Sequence, residues 1–393
     1  MGNSASFCSC RGRRHPPSLP DSFIPEYDPL PGLNNADWRS DWIMRFRHIL
    51  DLCDRQEKLL EARVELRLLK DELYDLSTSQ QDNKLATVFI DQVLNRHETL
   101  RRLLWKCERL DEMAKTLEGI RSQTSGDQFI NGDCPIWHHE SFGPHHLYHT
   151  FTGTSSTMLV TGVLAEPLER VAALFNEIDL QPNFVPFLSR AGRIATVTGC
   201  GDHGQALANL HFYLPGLGGR DAVVFAFGCD ASREASSKGS DGPNLDGFVL
   251  VVESIDGLEW WGHVLPENKG VPVLVKIGFI LKPMGACNGS TSPPCSVTIL
   301  LQTDLHLPPF IPHSLVHWAN KQVAKLTFSN IEKISRVFDT SEYPIRMRQD
   351  PSFYRDFVEG MVLKNLLGPD WKSSTKWDDE EIGRKQSFTS CMS

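Results

Sequence analysis

The residue types that could do chemistry gather in three places. Cys134, His138, His139, Glu140, His145, His146 and His149 crowd one segment, and imidazole and thiolate are the usual ligands of zinc. Their spacing fits no standard zinc pattern, and Ile136, Trp137 and Phe142 among them are packing residues. The segment reads as a loop that joins a helical region to the first strand, with no metal. His211 and Tyr213, two apart in an alternating run, have the types of an acid–base couple. No nucleophile motif accompanies them: G-x-S-x-G, H-E-x-x-H and G-x-x-x-x-G-K are all absent. Gly216-Leu217-Gly218-Gly219 lacks the strand–turn–helix setting of a dinucleotide fingerprint. Neither an enzyme nor a cofactor is expected.

At the third place, the amino terminus, chemistry is done to the chain. Gly2 and Ser6 fit the N-myristoylation pattern M-G-x-x-x-[ST]. One myristoyl chain binds membranes only marginally, so stable anchoring needs a second signal. Cys8 and Cys10 are candidates for palmitate. Arg11, Arg13 and Arg14 add a basic cluster, each worth about 1 kcal/mol beside an anionic leaflet. The plain alternative is an unmodified terminus.

A net charge of −9 argues against a general nucleic-acid binder. Ten cysteines without C-x-x-C spacing or a secretory signal read as reduced cytosolic thiols. No run of 18 apolar residues predicts a transmembrane helix, and no signal-peptide core is present. The expectation is a cytoplasmic body held by lipid on the cytoplasmic face of the plasma membrane or an endomembrane.

Residues 1–35 form a basic, proline-rich tether, because prolines at that density forbid helix. Across 36–126, Leu52, Leu59, Leu66 and Leu73 recur every seven residues, with Ala62, Leu69 and Leu76 between them. A second stripe, Leu103, Cys107, Leu110, Ala114 and Leu117, follows the polar run Ser77–Asn83. Two helices with a short loop predict an antiparallel hairpin; an intermolecular coiled coil is the rival. From 135 to 340 the period falls to two. Strands are expected over Met158–Leu164, Arg193–Thr198, Ala206–Leu214, Ala222–Gly228, Phe248–Ser254, Val271–Leu281 and Ser296–Thr303. Helices are expected at Pro167–Ile178 and Pro312–Phe338. The latter carries Leu315, Trp318, Ala319, Gln322, Val323, Leu326, Ile331, Ile334 and Phe338. Many antiparallel strands ending in one amphipathic helix predict a curved sheet gripping a helix. Residues 341–393 form an extension with a helical candidate at Ser352–Leu367 and a mobile tail. In that tail Ser387, after Arg384 and Lys385, is a phosphorylation candidate or merely solvated.

Three segments resemble START domains, the steroidogenic-acute-regulatory-protein-related lipid-transfer fold. They are LERVAALFNEIDLQPNFVPFL from Leu168, FYLPGLGGRDAVVFAF from Phe212, and SVTILLQTDLHLPPFIPHSLVHWANKQV from Ser296. The resemblance implies an α+β helix-grip fold, preceded here by the helical hairpin. It also implies a cavity for one membrane lipid, phospholipid or sterol, that the protein extracts, transfers or presents. The inserts Asp230–Asp246 and Gly285–Pro294 depart from the family, and no counterpart of its buried Arg and acid is found. Leu214, Pro215, Gly216, Leu217, Gly218, Gly219, Arg220 and Asp221 match the loop that gates the family's cavity, with Arg220-Asp221 forming an ion pair or a solvated strand start. Cavity candidates on alternating and helical spacing are Asn209, His211, Tyr213, Trp260, Trp261, Leu315, Trp318, Ala319 and Gln322. The polar trio Asn209, His211 and Tyr213 faces either solvent or ligand. Trp260 and Trp261 should point to opposite faces of a strand. Glu253 and Lys276 should face outward, while Gln302 and Asp304 cap the following turn. The rival is a membrane-tethered scaffold or lipid sensor that binds a partner through its helical region.

Overall fold

The computed structural model describes residues 40–350 together with 353, 354 and 358. Within that span, segments 55–58, 79–82, 95–96, 125–136, 153–154, 197–204, 232–244, 246, 268, 285–292 and 309–310 are not described. Gly2, Cys8, Cys10, Arg11, Arg13, Arg14, Cys134 and Ser387 lie outside the described residues.

Among the described residues four α-helices precede the sheet: α1 (Ser40–Asp54), α2 (Leu59–Thr78), α3 (Asn83–Phe89) and α4 (Glu98–Thr124). A π-helical turn, Ile90–Leu94, extends α3. The heptad stripe is the buried side of α2, through Leu59, Ala62, Leu66, Leu69 and Leu73. Leu103, Cys107, Leu110 and Leu117 do the same for α4. Instead of two helices the described residues of this region form four: Trp42, Phe46 and Ile49 make an apolar stripe on α1, and the run after the polar loop folds first into the short α3. Trp42 and Phe46 pack on Phe89 of α3, with ring centroids 5.6 and 6.3 Å apart. Arg63 donates to both carboxylate oxygens of Asp111 at 2.6 Å, which fixes α2 against α4.

The sheet follows. Its strands are β1 (His138–Phe142), β2 (His145–Thr152), β3 (Ser155–Leu164), β4 (Leu188–Thr196), β5 (Ala206–Leu214), β6 (Gly218–Asp230) and β7 (Phe248–Ser254). After the two-residue strands β8 (Glu259–Trp260), β9 (His263–Val264) and β10 (Val271–Pro272) come β11 (Leu274–Pro283) and β12 (Cys295–Asp304). The order is β1-β2-β3-β12-β11-β7-β6-β5-β4, with β10 parallel to β6 and β8-β9 a separate pair. Among the described residues three further α-helices follow: α5 (Leu168–Asn176), α6 (His313–Arg336) and α7 (Tyr343–Gln349).

The histidine-rich segment is a hairpin, β1–β2, and not a connecting loop. His138 stacks on His149, and His139 on His146, with centroids 5.4 and 5.6 Å apart. Among the described residues, no group of three or more His, Cys, Asp or Glu is placed to hold a metal. His145 turns inward under Phe328 of α6, its ring centroid 4.5 Å away. A side chain at Gly162 would collide with its Nδ1.

Alternation along the strands gives the sheet two buried faces. One packs on α1–α4: Val223, Phe225, Phe227, Val249, Val251 and Leu300 share a core with the helical stripes. Here Gly278 lets α4 approach closely: a Cβ would lie 2.4 Å from Met113 Sδ and the methionine would have to shift. The other face, through Val160, Leu250, Phe279 and Val297, packs on α5, α6 and α7. The helical region is therefore a layer on the sheet, and its stripes are satisfied within one chain. The whole is an α+β helix-grip fold with α6 on the inner face.

Candidate ligand cavity and its rim

On the inner face, β5, β6, β7 and β11 present Leu210, Val224, Ala226, Leu250, Val252, Ile277 and Phe279. Phe175 and Asn176 of α5, with Ile178 and Gln181 of the 3-10 turn after it, stand opposite. Between them lies a space of about 30 Å³. Towards the β5–β6 end the wall continues with Ala206, Ala208, Ala222, Val273 and Val275, all buried.

On its sheet side α6 buries Val316, Asn320, Ala324, Phe328 and Ile331. Asn320 donates to Ser156 Oγ of β3 at 2.5 Å, and Asn330 to the Phe184 carbonyl at 3.2 Å. Lys321 pairs with Glu140 of β1. The sequence expectation had the helix rotated. Leu315 and Trp318 are 50% and 58% exposed, while Ala319 and Gln322 are half-buried. Both faces of the first half of α6 are apolar, so periodicity alone did not choose between them.

Asn209, His211 and Tyr213 do share a face, but it is the outer one. They pair across to Val223, Asp221 and Gly219, away from α6. The burial cost of polar groups explains the choice: the apolar alternate set Ala208, Leu210 and Phe212 takes the inside. Trp260 and Trp261 also lie on the outer side, and together. Their rings stack at 4.8 Å, and both meet Trp105 of α4, at 5.5 and 5.7 Å. The strand there is only two residues long and turns at Trp261 (φ 45°), so strict alternation does not apply. Glu253 and Lys276 do face outward, yet Glu253 is buried beneath α4, paired with Arg109 Nε at 2.5 Å and Lys276 at 3.2 Å. Asp304 caps its turn by accepting the His306 amide at 2.8 Å.

The expected gating loop is a tight turn, Pro215–Leu217, between β5 and β6. Gly216 and Gly218, at φ 77° and 82°, supply the positive φ that L residues resist. Arg220 and Asp221 are both 4% exposed and neither pairs with the other. Successive residues of a strand face opposite ways, and each fastens a loop. Arg220 donates to the carbonyls of Leu217 (2.8 Å), Gly219 (3.2 Å) and Leu305 (3.3 Å). It thereby ties the β5–β6 turn to the segment leading into α6. Asp221 accepts from His211 Nδ1 and from the amides of Lys269 (2.8 Å) and Gly270 (2.5 Å). Burial pushes its carboxyl up, but the His211 and backbone hydrogen bonds outweigh that and hold it below the ordinary value.

That end of the sheet carries a rim of exposed apolar side chains. Leu188 pairs with Phe212, Leu214 with Gly218, Val271 with Arg220, and Leu274 with Asp304, which places these strand ends side by side. Phe187, Tyr213, Val271 and Leu274 are exposed there. Leu315 and Trp318 stand on the first turns of α6, which starts a few residues after Asp304.

No protein-family model matches the sequence, and no curated protein does. Among solved structures, human StAR-related lipid transfer protein 5 is similar at 13% identity and TM-score 0.40, over 58% of this chain and 98% of that one. Human STARD10 is similar at 14% identity and TM-score 0.39, over 58% and 81%. A StAR-related lipid transfer protein from Xanthomonas axonopodis gives 14% and 0.36, over 51% and 98%. The structural neighbours are START domains.

Proposed function

We propose that the chain binds a single lipid between the inner face of its sheet and α6, and extracts, transfers or presents it at a membrane. The observation that supports this most is the pairing of an apolar inner wall with exposed apolar side chains at the end where Arg220 ties the β5–β6 turn to the segment leading into α6. Contiguous exposed apolar surface marks an interaction site, and a bilayer is the partner that would cover a rim around a cavity mouth. Parting α6 or the turn from the wall exposes apolar area, at roughly 25 cal/mol per Å² in water. Against bilayer hydrocarbon that cost is small, so opening is coupled to membrane contact. Acylation of Gly2, Cys8 and Cys10, with Arg11, Arg13 and Arg14 on an anionic leaflet, would keep the rim near a cytoplasmic membrane surface. The reading requires no catalysis and no cofactor.

The test is fluorescent-lipid transfer between vesicles by the full chain. Leu217→Asp combined with Trp318→Asp should slow transfer while leaving thermal unfolding unchanged. Transfer at the parent rate would overturn the role given to the rim.

A second reading, a scaffold acting through the helical region, has one observation of its own. Between α2 and α4 runs an open groove with Arg67, Lys70, Arg101, Lys115 and Tyr74 along it. Burial pushes the Lys70 ammonium below its ordinary pKa. Partner capture that Lys70→Glu abolishes, with no lipid transfer by the parent chain, would favour this reading.

A further inference from the structure

The groove between α2 and α4 holds cations that the helical layer leaves unmatched. Among the described residues, Arg67 and Lys70 of α2 and Arg101 and Lys115 of α4 line it and take part in no ion pair or hydrogen bond. Most acids along it are already paired. Asp111 is held by Arg63 at 2.6 Å, Glu112 by Arg109 at 2.8 Å and Lys276 at 3.2 Å, and Glu108 lies 3.7 Å from Arg109. Of the acids that line the groove, Asp71 alone is left against the four cations. Arg67, Arg101 and Lys115 are exposed, but Lys70 is half-buried, and burial pushes its ammonium below the ordinary pKa. A half-buried cation without a counter-ion carries a cost that an arriving carboxylate relieves. Between the charges Leu66, Leu104 and Trp105 line the groove. Its open space of about 780 Å³ is too large for a single ion and suits a short peptide.

We propose that the chain's own acidic run, Asp378-Asp379-Glu380-Glu381 with Trp377 and Ile382 at its flanks, docks in this groove and closes it to other acidic partners. This goes beyond the lipid-binding reading and does not depend on it. It gives the groove of the scaffold reading an occupant from within the chain.

Composition, length and reach all favour that segment. The sequence holds no other run of four acids, and Lys376 and Arg384 bound it on either side. Four carboxylates meet four cations, while Trp377 and Ile382 bring apolar groups to Leu104 and Trp105. Residues 377–382 span about 17 Å when extended, and Arg101 and Lys115 lie about 21 Å apart along α4. Val358 is the last described residue and packs in the inner-face core. The stretch from it to Asp378 reaches about 66 Å when extended. The three layers are together about 30 Å thick, so a path round the sheet is long enough. Exposed ion pairs are individually weak. A tethered segment, however, meets its groove at an effective concentration in the millimolar range, so a weak site suffices.

The experiment treats the full chain at low salt with a water-soluble carbodiimide, which joins a lysine amine to a carboxylate in contact with it. The monomer-sized product is isolated under denaturing conditions and digested, and its cross-linked peptides are identified by mass spectrometry. The expected result is a link from Lys70 or Lys115 to one of Asp378, Asp379, Glu380 and Glu381. At about 1 M salt, where the screening length is about 3 Å, the yield should fall about tenfold. Arg67→Glu combined with Arg101→Glu leaves every cross-linking group in place. It should also lower the yield about tenfold, a factor of roughly three for each exposed pair, with thermal unfolding unchanged. A link that persists at the parent yield in that variant or in high salt would overturn recognition by charge. The same link found only in dimer-sized product would assign the segment to a second copy and overturn the contact within one chain. Links from the acidic run made as often to Lys269 and Lys333 as to Lys70 and Lys115, or no links at all, would overturn docking in the groove.

Discussion

The two faces of the sheet are buried by different means. The outer face is filled with large interlocked groups: Phe225, Phe227, Trp260 and Trp261 around Trp105, with Arg102 5.0 Å over the Trp261 ring. Glu253, Arg109, Lys276 and Glu112 then bind α4 to β7 and β11 by ion pairs. The inner face near β5 and β6 is walled by small residues such as Ala206, Ala208, Ala222 and Val224. A face closed by aromatic packing and buried charge pairs is built to stay closed. A wall of small aliphatic side chains carries no charge of its own, so parting it from its cover strands none on the wall. The comparison assigns stability to the outer layer and ligand exchange to the inner one.

The contrast predicts a graded series. Phe225→Ala removes a fully buried ring from the outer core and should cost about 3–5 kcal/mol, measured by denaturant unfolding. A loss below 1 kcal/mol would mean that the helical layer is not integral to the sheet. Arg220→Ala leaves three carbonyls without their donor and should cost about 2 kcal/mol. It should also accelerate lipid exchange, because the turn and the approach to α6 lose their common tie; a stability loss without faster exchange would make Arg220 purely structural. Trp318→Asp, on exposed surface, should change stability by no more than about 0.5 kcal/mol, yet weaken vesicle binding in a flotation assay.

The smallest effect concerns pH. The Asp221 carboxyl is held below its ordinary value, so its contribution is present above the unfolded value near 3.9 and is lost as pH falls through the lowered one. The stability gap between the parent and Asp221→Asn should be constant from about pH 6 to 8 and begin to narrow below about pH 4. A gap that closes near neutrality would mean that the carboxylate does not hold Lys269 and Gly270.

Much of the fold was legible in the residues. Ala206–Leu214 and Phe248–Ser254 are strands at the bounds that alternation predicts, and the Leu59–Leu73 stripe is the buried side of α2. The β1–β2 hairpin was missed because histidines mask its alternation. The short α7 was missed because Tyr343-Pro344-Ile345 reads as a break, although proline suits a first helical turn. The site was less legible than the fold. Asn209, His211 and Tyr213 were drawn towards the ligand by their polarity, while the wall is the apolar alternate set that includes Leu210. Trp318 was placed inward by its helical spacing with Leu315 and Gln322. Which side of an element faces a cavity depends on what packs behind it, and the helical layer behind this sheet could not be placed from periodicity. Asn176 and Gln181 carry no motif; only the fold brings them against Leu210 and Ile277.

Photo-crosslinking tests the division between the faces most directly. The full chain would be loaded from vesicles carrying a photoreactive sterol or, in parallel, a photoreactive phosphatidylcholine, and the labelled peptides mapped. Labelling should fall on inner-face positions of β5, β6 and β11, such as Leu210, Val224 and Ile277, and on the α5 turn around Asn176–Gln181. Labels confined to Tyr213, Trp260 and Trp261, or to the groove between α2 and α4, would contradict the account.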